Sequence, residues 1–146
     1  MKEYNEYSDK LVGKEVAMLA KEVGYDVQEV ECFSITDEVP KDAAHIYDEW
    51  SGMIGEGNKF LCYRPTQSAL QKWIREKHGI TVESNFLANI QKYRSFYKPK
   101  NIIPKTFRSN SEYHIAVERY YSKVNYETYE EALEDGLTQA LMIIKD

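Results

Sequence analysis

The sequence predicts an α+β fold: a single domain in which an antiparallel sheet packs against about three helices on one of its faces. Three observations support this prediction. Two segments, 67–78 and 129–144, carry apolar residues at helical spacing behind clear N-terminal caps, and 80–90 and 112–121 alternate with a period of two. The length of 146 residues fits one domain with a sizeable core.

The N-terminal part predicts a helix followed by a strand. Ser8 is a favourable N-cap for a helix over residues 9–23, in which apolar residues recur at helical spacing. Gly24 supplies the left-handed position that commonly ends a helix. Residues 27–35 are rich in β-branched and small apolar side chains, which favours a strand although the alternation is imperfect.

Residues 36–58 are predicted to form a long loop, interrupted by one short helix over 42–50. Gly52, Gly55 and Gly57 superficially resemble a phosphate-binding loop. However, no Lys-Ser/Thr pair follows them, and Glu56 would repel phosphate, so a flexible linker is the preferred interpretation. Residues 59–63 form a short apolar run that predicts a strand entering the core.

The second helix is predicted over residues 67–78. Thr66 is its N-cap, Leu70 and Trp73 lie on the stripe expected to be buried, and Gly79 ends it. The strand over 80–90 follows directly. Because eleven residues is long for a strand, we expect a bend or bulge near residues 84–85.

The C-terminal third predicts a strand over 112–121 and then an amphipathic helix. Thr128 and Glu131 stand at the spacing of a capping box, in which the side chain of each residue accepts a hydrogen bond from the backbone N–H of the other. The helix carries an apolar stripe of Ala132, Leu133, Leu137, Ala140, Leu141 and Ile144. Gly136 lies within this stripe, and a glycine there indicates close approach of another element.

The central segment is unusually basic. The chain has a net charge of −5, yet residues 84–111 contain no acidic residue. Pro99 and Pro104 argue against a regular element over 98–105, so 98–111 is predicted to be a second long loop. Basic and aromatic residues interleave in this segment, and together they form the candidate binding surface: Lys92, Tyr93, Arg94, Phe96, Tyr97, Lys98, Lys100, Lys105, Phe107 and Arg108.

Two functions fit this composition. Cations that follow phosphates and aromatic faces that stack on bases are what a surface for single-stranded nucleic acid requires. The acidic whole chain argues against that interpretation, because nucleic-acid-binding domains are usually basic. The first hypothesis is therefore a non-enzymatic protein-interaction module with an unknown protein partner, and single-stranded nucleic-acid binding is the alternative. The sequence leaves the oligomeric state open.

A small enzyme is the third hypothesis, because no catalytic motif is found. No serine lies in a nucleophile-elbow pattern, and no two carboxylates are placed convincingly in one pocket. His45, His78 and His114 are isolated from one another and from the cysteines, so no metal site and no cofactor are predicted. Cys32 and Cys62 are predicted to be half-buried, reduced thiols.

No stretch approaches the roughly 20 apolar residues of a membrane span. The first residues carry no apolar segment of a secretory signal either, so a cytoplasmic protein without membrane partners is predicted.

Three stretches of the chain, 15–26, 65–80 and 129–137, resemble small uncharacterised proteins encoded by phages, prophages and mobile elements of gut bacteria. The middle stretch, Pro-Thr-Gln-Ser-Ala-Leu-Gln-Lys-Trp-Ile-Arg-Glu-Lys-His-Gly-Ile, is the most specific of the three. The resemblance covers about a quarter of the chain and leaves out 82–110. It implies a mobile-element origin and a cytoplasmic location, and it implies no activity.

Overall fold

A computed structural model describes residues 10–29, 31–36, 45–48, 58–100 and 108–146. It confirms the α+β class, with the strands divided between two antiparallel sheets ordered β2-β1-β3 and β4-β5. The described residues contain four helices instead of about three. The elements are α1 (Lys14–Glu22), β1 (Glu31–Thr36), β2 (His45–Asp48), β3 (Asn58–Tyr63), α2 (Gln67–His78), β4 (Ile80–Leu87), β5 (Lys92–Pro99), α3 (Asn110–Glu118) and α4 (Tyr129–Lys145).

Helix α1 begins later than predicted, because residues 10–13 are extended. The backbone N–H of Val12 donates to the carbonyl of Pro65 at 3.0 Å, so this segment pairs with the chain that precedes α2. Gly13 is the N-cap, and Ser8 and Asp9 lie outside the described residues. The predicted end is confirmed, with Gly24 at φ 96°.

The segment predicted as a long loop with a short helix contains a strand. His45–Asp48 pairs antiparallel with β1, so the helix predicted over 42–50 is wrong in this part. Ile46 and Tyr47, at the centre of this segment, are of the β-branched and aromatic residue types that favour a strand when a neighbouring strand is available. β1 begins at Glu31, later than predicted, and β3 confirms the strand predicted over 59–63. The glycines 52, 55 and 57 lie outside the described residues.

The α2–β4–β5 unit follows its local sequence closely. Thr66 Oγ1 accepts from the backbone N–H of Ala69 at 3.1 Å, and Gly79 adopts φ 68°, so both predicted ends of α2 are confirmed. β4 ends at Leu87, before the predicted residue 90, since a turn with Gln91 at φ 55° reverses the chain. The bulge expected near 84–85 is absent, because the pairing with β5 runs without a register shift.

The strand predicted over 112–121 is wrong: Asn110–Glu118 is helix α3. Ser109 caps it, and its hydroxyl accepts from the backbone N–H of Glu112 at 3.2 Å. Ile115, within this helix, is 76% exposed. The loop predicted over 98–111 is shorter as well, since β5 extends to Pro99 and residues 101–107 lie outside the described residues.

Helix α4 has both features that the sequence predicts. The capping box is present, with Glu131 N–H donating to Thr128 Oγ1 at 3.1 Å and Thr128 N–H donating to Glu131 Oε1 at 3.3 Å. The apolar stripe packs into one core with residues of α1, β1, β3, α2 and β4, including Val16, Phe33, Leu61, Leu70 and Val82.

We expect Trp73→Ala to lower the free energy of unfolding by about 3–5 kcal/mol, the usual cost of deleting a buried large aromatic side chain. The indole is 8% exposed and packs edge-on against Tyr25, with ring centroids 5.1 Å apart. Trp73→Phe is the control, because Nε1 has no hydrogen-bond partner among the described residues and its loss removes no bond. Urea unfolding measures both variants, and an alanine variant as stable as the phenylalanine variant would contradict the core assignment.

Gly136→Ala should lower the free energy of unfolding by about 1–2 kcal/mol, although alanine usually stabilises a helix by about 1 kcal/mol relative to glycine. An added methyl group would lie 2.9 Å from Val82 Cγ1 and 3.2 Å from Ser95 Cβ. The matched control is a double-mutant cycle with Val82→Ala, which removes the nearest atom. Gly136→Ala should cost less in that background, and equal costs in both backgrounds would show that the contact is not the cause.

Candidate functional site: the outer face of β5

Strand β5 directs its side chains alternately to two faces, which divides the predicted binding residues. Tyr93 and Tyr97 lie on the side of α4: the Tyr93 ring is perpendicular to Tyr129, and Tyr97 packs against the core. Ser95, on the same side, is fully buried. The other side, here called the outer face, carries Lys92, Arg94, Phe96 and Lys98.

The chain after α3 runs along the free edge of β5 and fixes this face. Tyr93 and Tyr126 exchange two backbone hydrogen bonds, of 2.8 and 2.7 Å, in an antiparallel arrangement. Further along, the N–H of Tyr97 donates to the carbonyl of Tyr120 at 2.9 Å. These bonds hold the next residue, Tyr121, beside Phe96 in a second antiparallel bridge.

Arg94, Tyr121 and Phe96 form one stack on the outer face, here called the Arg94 stack. The guanidinium carbon of Arg94 lies 3.8 Å from the centre of the Tyr121 ring. The Tyr121 and Phe96 rings follow, with centroids 4.6 Å apart and planes inclined by 36°. All three side chains are half-buried, so each keeps an accessible part while its neighbours restrict its rotation.

Acidic residues distant in sequence pair with two of the cations. Lys92 forms an ion pair with Glu127, and Arg94 Nη1 lies 3.6 Å from Glu118 Oε2. Both glutamate side chains are mostly exposed, so these pairs contribute little to stability. They do reduce the positive charge of the outer face. Lys98 lies over the Tyr113 ring, with its Nζ 5.7 Å from the centroid.

The other predicted binding residues do not join the outer face. Lys100 donates its backbone N–H to the carbonyl of Gly79 at 2.8 Å, and it lines a groove with Ile143 and Ile144 of α4. Arg108 is almost fully exposed at the start of α3, where it pairs with Glu112 at 3.5 Å. Lys105 and Phe107 lie outside the described residues.

Sequence reasoning missed the contribution of the segment after β5. Tyr113, Glu118 and Tyr121 complete the outer face, although the predicted strand over 112–121 gave them no such role. Ser109 and Glu112 stand at capping-box spacing and would have indicated a helix here. Nothing in the sequence indicated that Tyr121 stacks on Arg94.

The acidic side chains of α4 are engaged in holding the fold. Glu134 accepts from the backbone N–H of Gly13 at 2.7 Å and from the Gln67 amide at 2.8 Å. Asp135 accepts from the Ser95 hydroxyl at 3.1 Å. Burial and the nearby Asp135 together raise the pKa of Tyr126, so its phenol stays protonated at neutral pH. Glu134 and Asp135 also line one open cavity of about 450 Å³ together with Glu130 and Glu131, so the expectation that no two carboxylates share a pocket is wrong.

The two cysteines are buried and form no disulfide, and they lie deeper than the predicted half-buried thiols. Burial raises the pKa of Cys62 to about 11, which leaves little nucleophilic thiolate at neutral pH. Among the described residues, no three His, Cys, Asp or Glu side chains come together in a way that would hold a metal ion.

Comparison with known proteins gives no match: neither a protein-family model, nor a curated protein, nor a solved structure is significantly similar to the chain. Within the described ranges, no helix combines the length and the apolar character that crossing a membrane requires.

Tyr121→Ala should lower the free energy of unfolding by about 1–2 kcal/mol, because it removes one aromatic pair and one cation–π contact. Tyr121→Phe keeps the ring and should stay within about 0.5 kcal/mol of the wild type. Urea unfolding followed by circular dichroism measures both. Equal stability of the two variants would show that the ring contributes no packing on Arg94 and Phe96.

Proposed function

We propose that this chain is a non-enzymatic binding protein that contacts a protein partner through the outer face of β5. The observation that carries the proposal is the half-exposed Arg94 stack. Arginine and tyrosine are among the residues that most often dominate the binding energy of protein interfaces. Side chains already held in position lose less conformational entropy when a partner binds.

The surroundings of the stack also suit a protein partner. Lys92, Lys98, Glu118 and Glu127 place charges of both signs around an aromatic centre, as at the polar rim of many interfaces. Such a mixture favours a partner whose charges are arranged to complement this face, because a partner with a different arrangement would bring like charges together.

Single-stranded nucleic acid remains the alternative because Lys92, Arg94, Phe96 and Lys98 share one face. The ion pairs with Glu118 and Glu127 make it the weaker proposal. A nucleic acid would have to displace these carboxylates or bring its phosphates close to them. A small enzyme without a recognisable motif is the third proposal, and no described cluster supports it specifically.

The resemblance of stretches 15–26, 65–80 and 129–137 to proteins of phages, prophages and mobile elements supports a mobile-element origin as part of this proposal. A cytoplasmic location follows from the same resemblance. Neither statement depends on the binding face, so a failure of the binding test would leave both untouched.

A selection from a displayed library of random 12-residue peptides tests the binding proposal. The immobilised wild-type chain should enrich peptides that bind the variant Arg94→Gln/Phe96→Ala at least about 30-fold more weakly, which corresponds to a hot-spot loss of about 2 kcal/mol. The control is Arg75→Gln/Val27→Ala, which likewise removes one arginine and one apolar side chain, both exposed and away from β5. It should bind the selected peptides like the wild type.

Labelled single-stranded DNA and RNA form the second arm of this test, with binding followed by fluorescence anisotropy. Nucleic-acid binding would show an affinity that falls with salt, at a log–log slope of about −0.7 per phosphate contacted. Suppose that Arg94→Gln/Phe96→Ala loses this salt-dependent binding and that no selected peptide depends on the same two residues. The partner of the outer face would then be nucleic acid and not a protein. Melting temperatures of all variants show whether the fold is retained.

A further inference from the structure

A cavity of about 500 Å³ adjoins the Arg94 stack, between the edge of β5 and the chain that follows α3. Three basic residues line it: Arg94 from β5, and Arg119 and Lys123 from the segment after α3. Glu118 is its acidic residue, and Ser122 and Asn125 add hydrogen-bonding side chains. This volume lies within the range of about 300–1,000 Å³ that is usual for ligand sites, so the cavity can accommodate an amino-acid side chain.

The charges of the cavity are incompletely balanced. Three cations and one carboxylate leave a local excess of two positive charges in a chain whose net charge is −5. Among the described residues, no ion pair joins Arg119 or Lys123 to an acidic side chain. The cavity therefore carries an excess of positive charge that an anion can neutralise.

We propose that this cavity binds a carboxylate side chain, aspartate or glutamate, of the protein partner. This inference rests on the proposed function and deepens it. The guanidinium carbon of Arg94 lies 3.8 Å from the centre of the Tyr121 ring, and a planar guanidinium can donate two parallel hydrogen bonds to a carboxylate. Arg119 and Lys123 line the same cavity and add electrostatic attraction for the carboxylate.

Two features favour a carboxylate over the phosphates of a nucleic acid. Glu118 lines the same cavity and would repel a chain of phosphates more strongly than a single carboxylate. Binding of a single strand also requires cations that continue along its backbone. On β5 that continuation is interrupted, since Lys92 is paired with Glu127.

Fluorescence anisotropy with a fluorescein-labelled decapeptide of alternating glutamate and alanine tests the inference on the full chain. The variant Arg119→Glu/Lys123→Glu should bind this peptide at least about tenfold more weakly than the control Lys72→Glu/Lys77→Glu. Both variants change the net charge by the same amount, and both control residues are exposed on α2. A decapeptide of alternating glutamine and alanine should bind both variants with the same affinity.

The milder variant Arg119→Gln/Lys123→Gln repeats the measurement against its own control Lys72→Gln/Lys77→Gln, so the result does not depend on a charge reversal that disturbs the fold. Equal affinity of the glutamate peptide for the cavity variants and their control would overturn the inference. So would tighter binding of a labelled 20-residue oligothymidine that shows the same dependence on Arg119 and Lys123. The proposed protein partner is judged separately, by the peptides that depend on Arg94 and Phe96.

Discussion

At the middle of α4, the absence of a side chain on Gly136 lets the helix backbone lie against the β4–β5 hairpin, beside Val82 and Ser95. The neighbouring Asp135 accepts the Ser95 hydroxyl, so the same turn that approaches the sheet also bonds to it. Glu134, one residue earlier, holds Gly13 at the start of α1 and Gln67 at the start of α2. One turn of α4 thus positions the hairpin and both other core helices, and the orientation of the outer face depends on it.

The sequence predicts elements best where a cap and an apolar stripe agree. Thr66 and Gly79 delimit α2, and Thr128 with Glu131 begins α4, because these side chains act on the nearest backbone groups. The region 112–121 is different, because its apolar residues fit both the period of two of a strand and the period of about 3.6 of a helix. Tyr113 and Val117 are four residues apart as well as in alternation, so their spacing alone does not decide between strand and helix. The cap at Ser109 is the local signal that favours the helix.

The candidate site shows a different limit of sequence reasoning. Composition draws attention to the basic stretch, and Lys92, Arg94, Phe96 and Lys98 are neighbours on one strand. Their partners are not neighbours in sequence: Glu127 reaches Lys92 across 35 residues, and Tyr121 reaches Arg94 from the chain beyond α3. The net charge of residues 84–111 therefore overestimates the positive charge of the outer face, because it leaves out the carboxylates that folding places next to the cations.

The pairing of residues 120–126 with β5 bears on how this protein behaves at high concentration. An open strand edge presents unpaired N–H and C=O groups, on which another chain can add a strand and start aggregation. Here the groups of Tyr93 and the N–H of Tyr97 are already bonded to Tyr126 and Tyr120. At these positions the edge of β5 cannot accept an added strand, so a partner would be recognised there through side chains. Self-assembly through this edge would first require residues 120–126 to dissociate from β5.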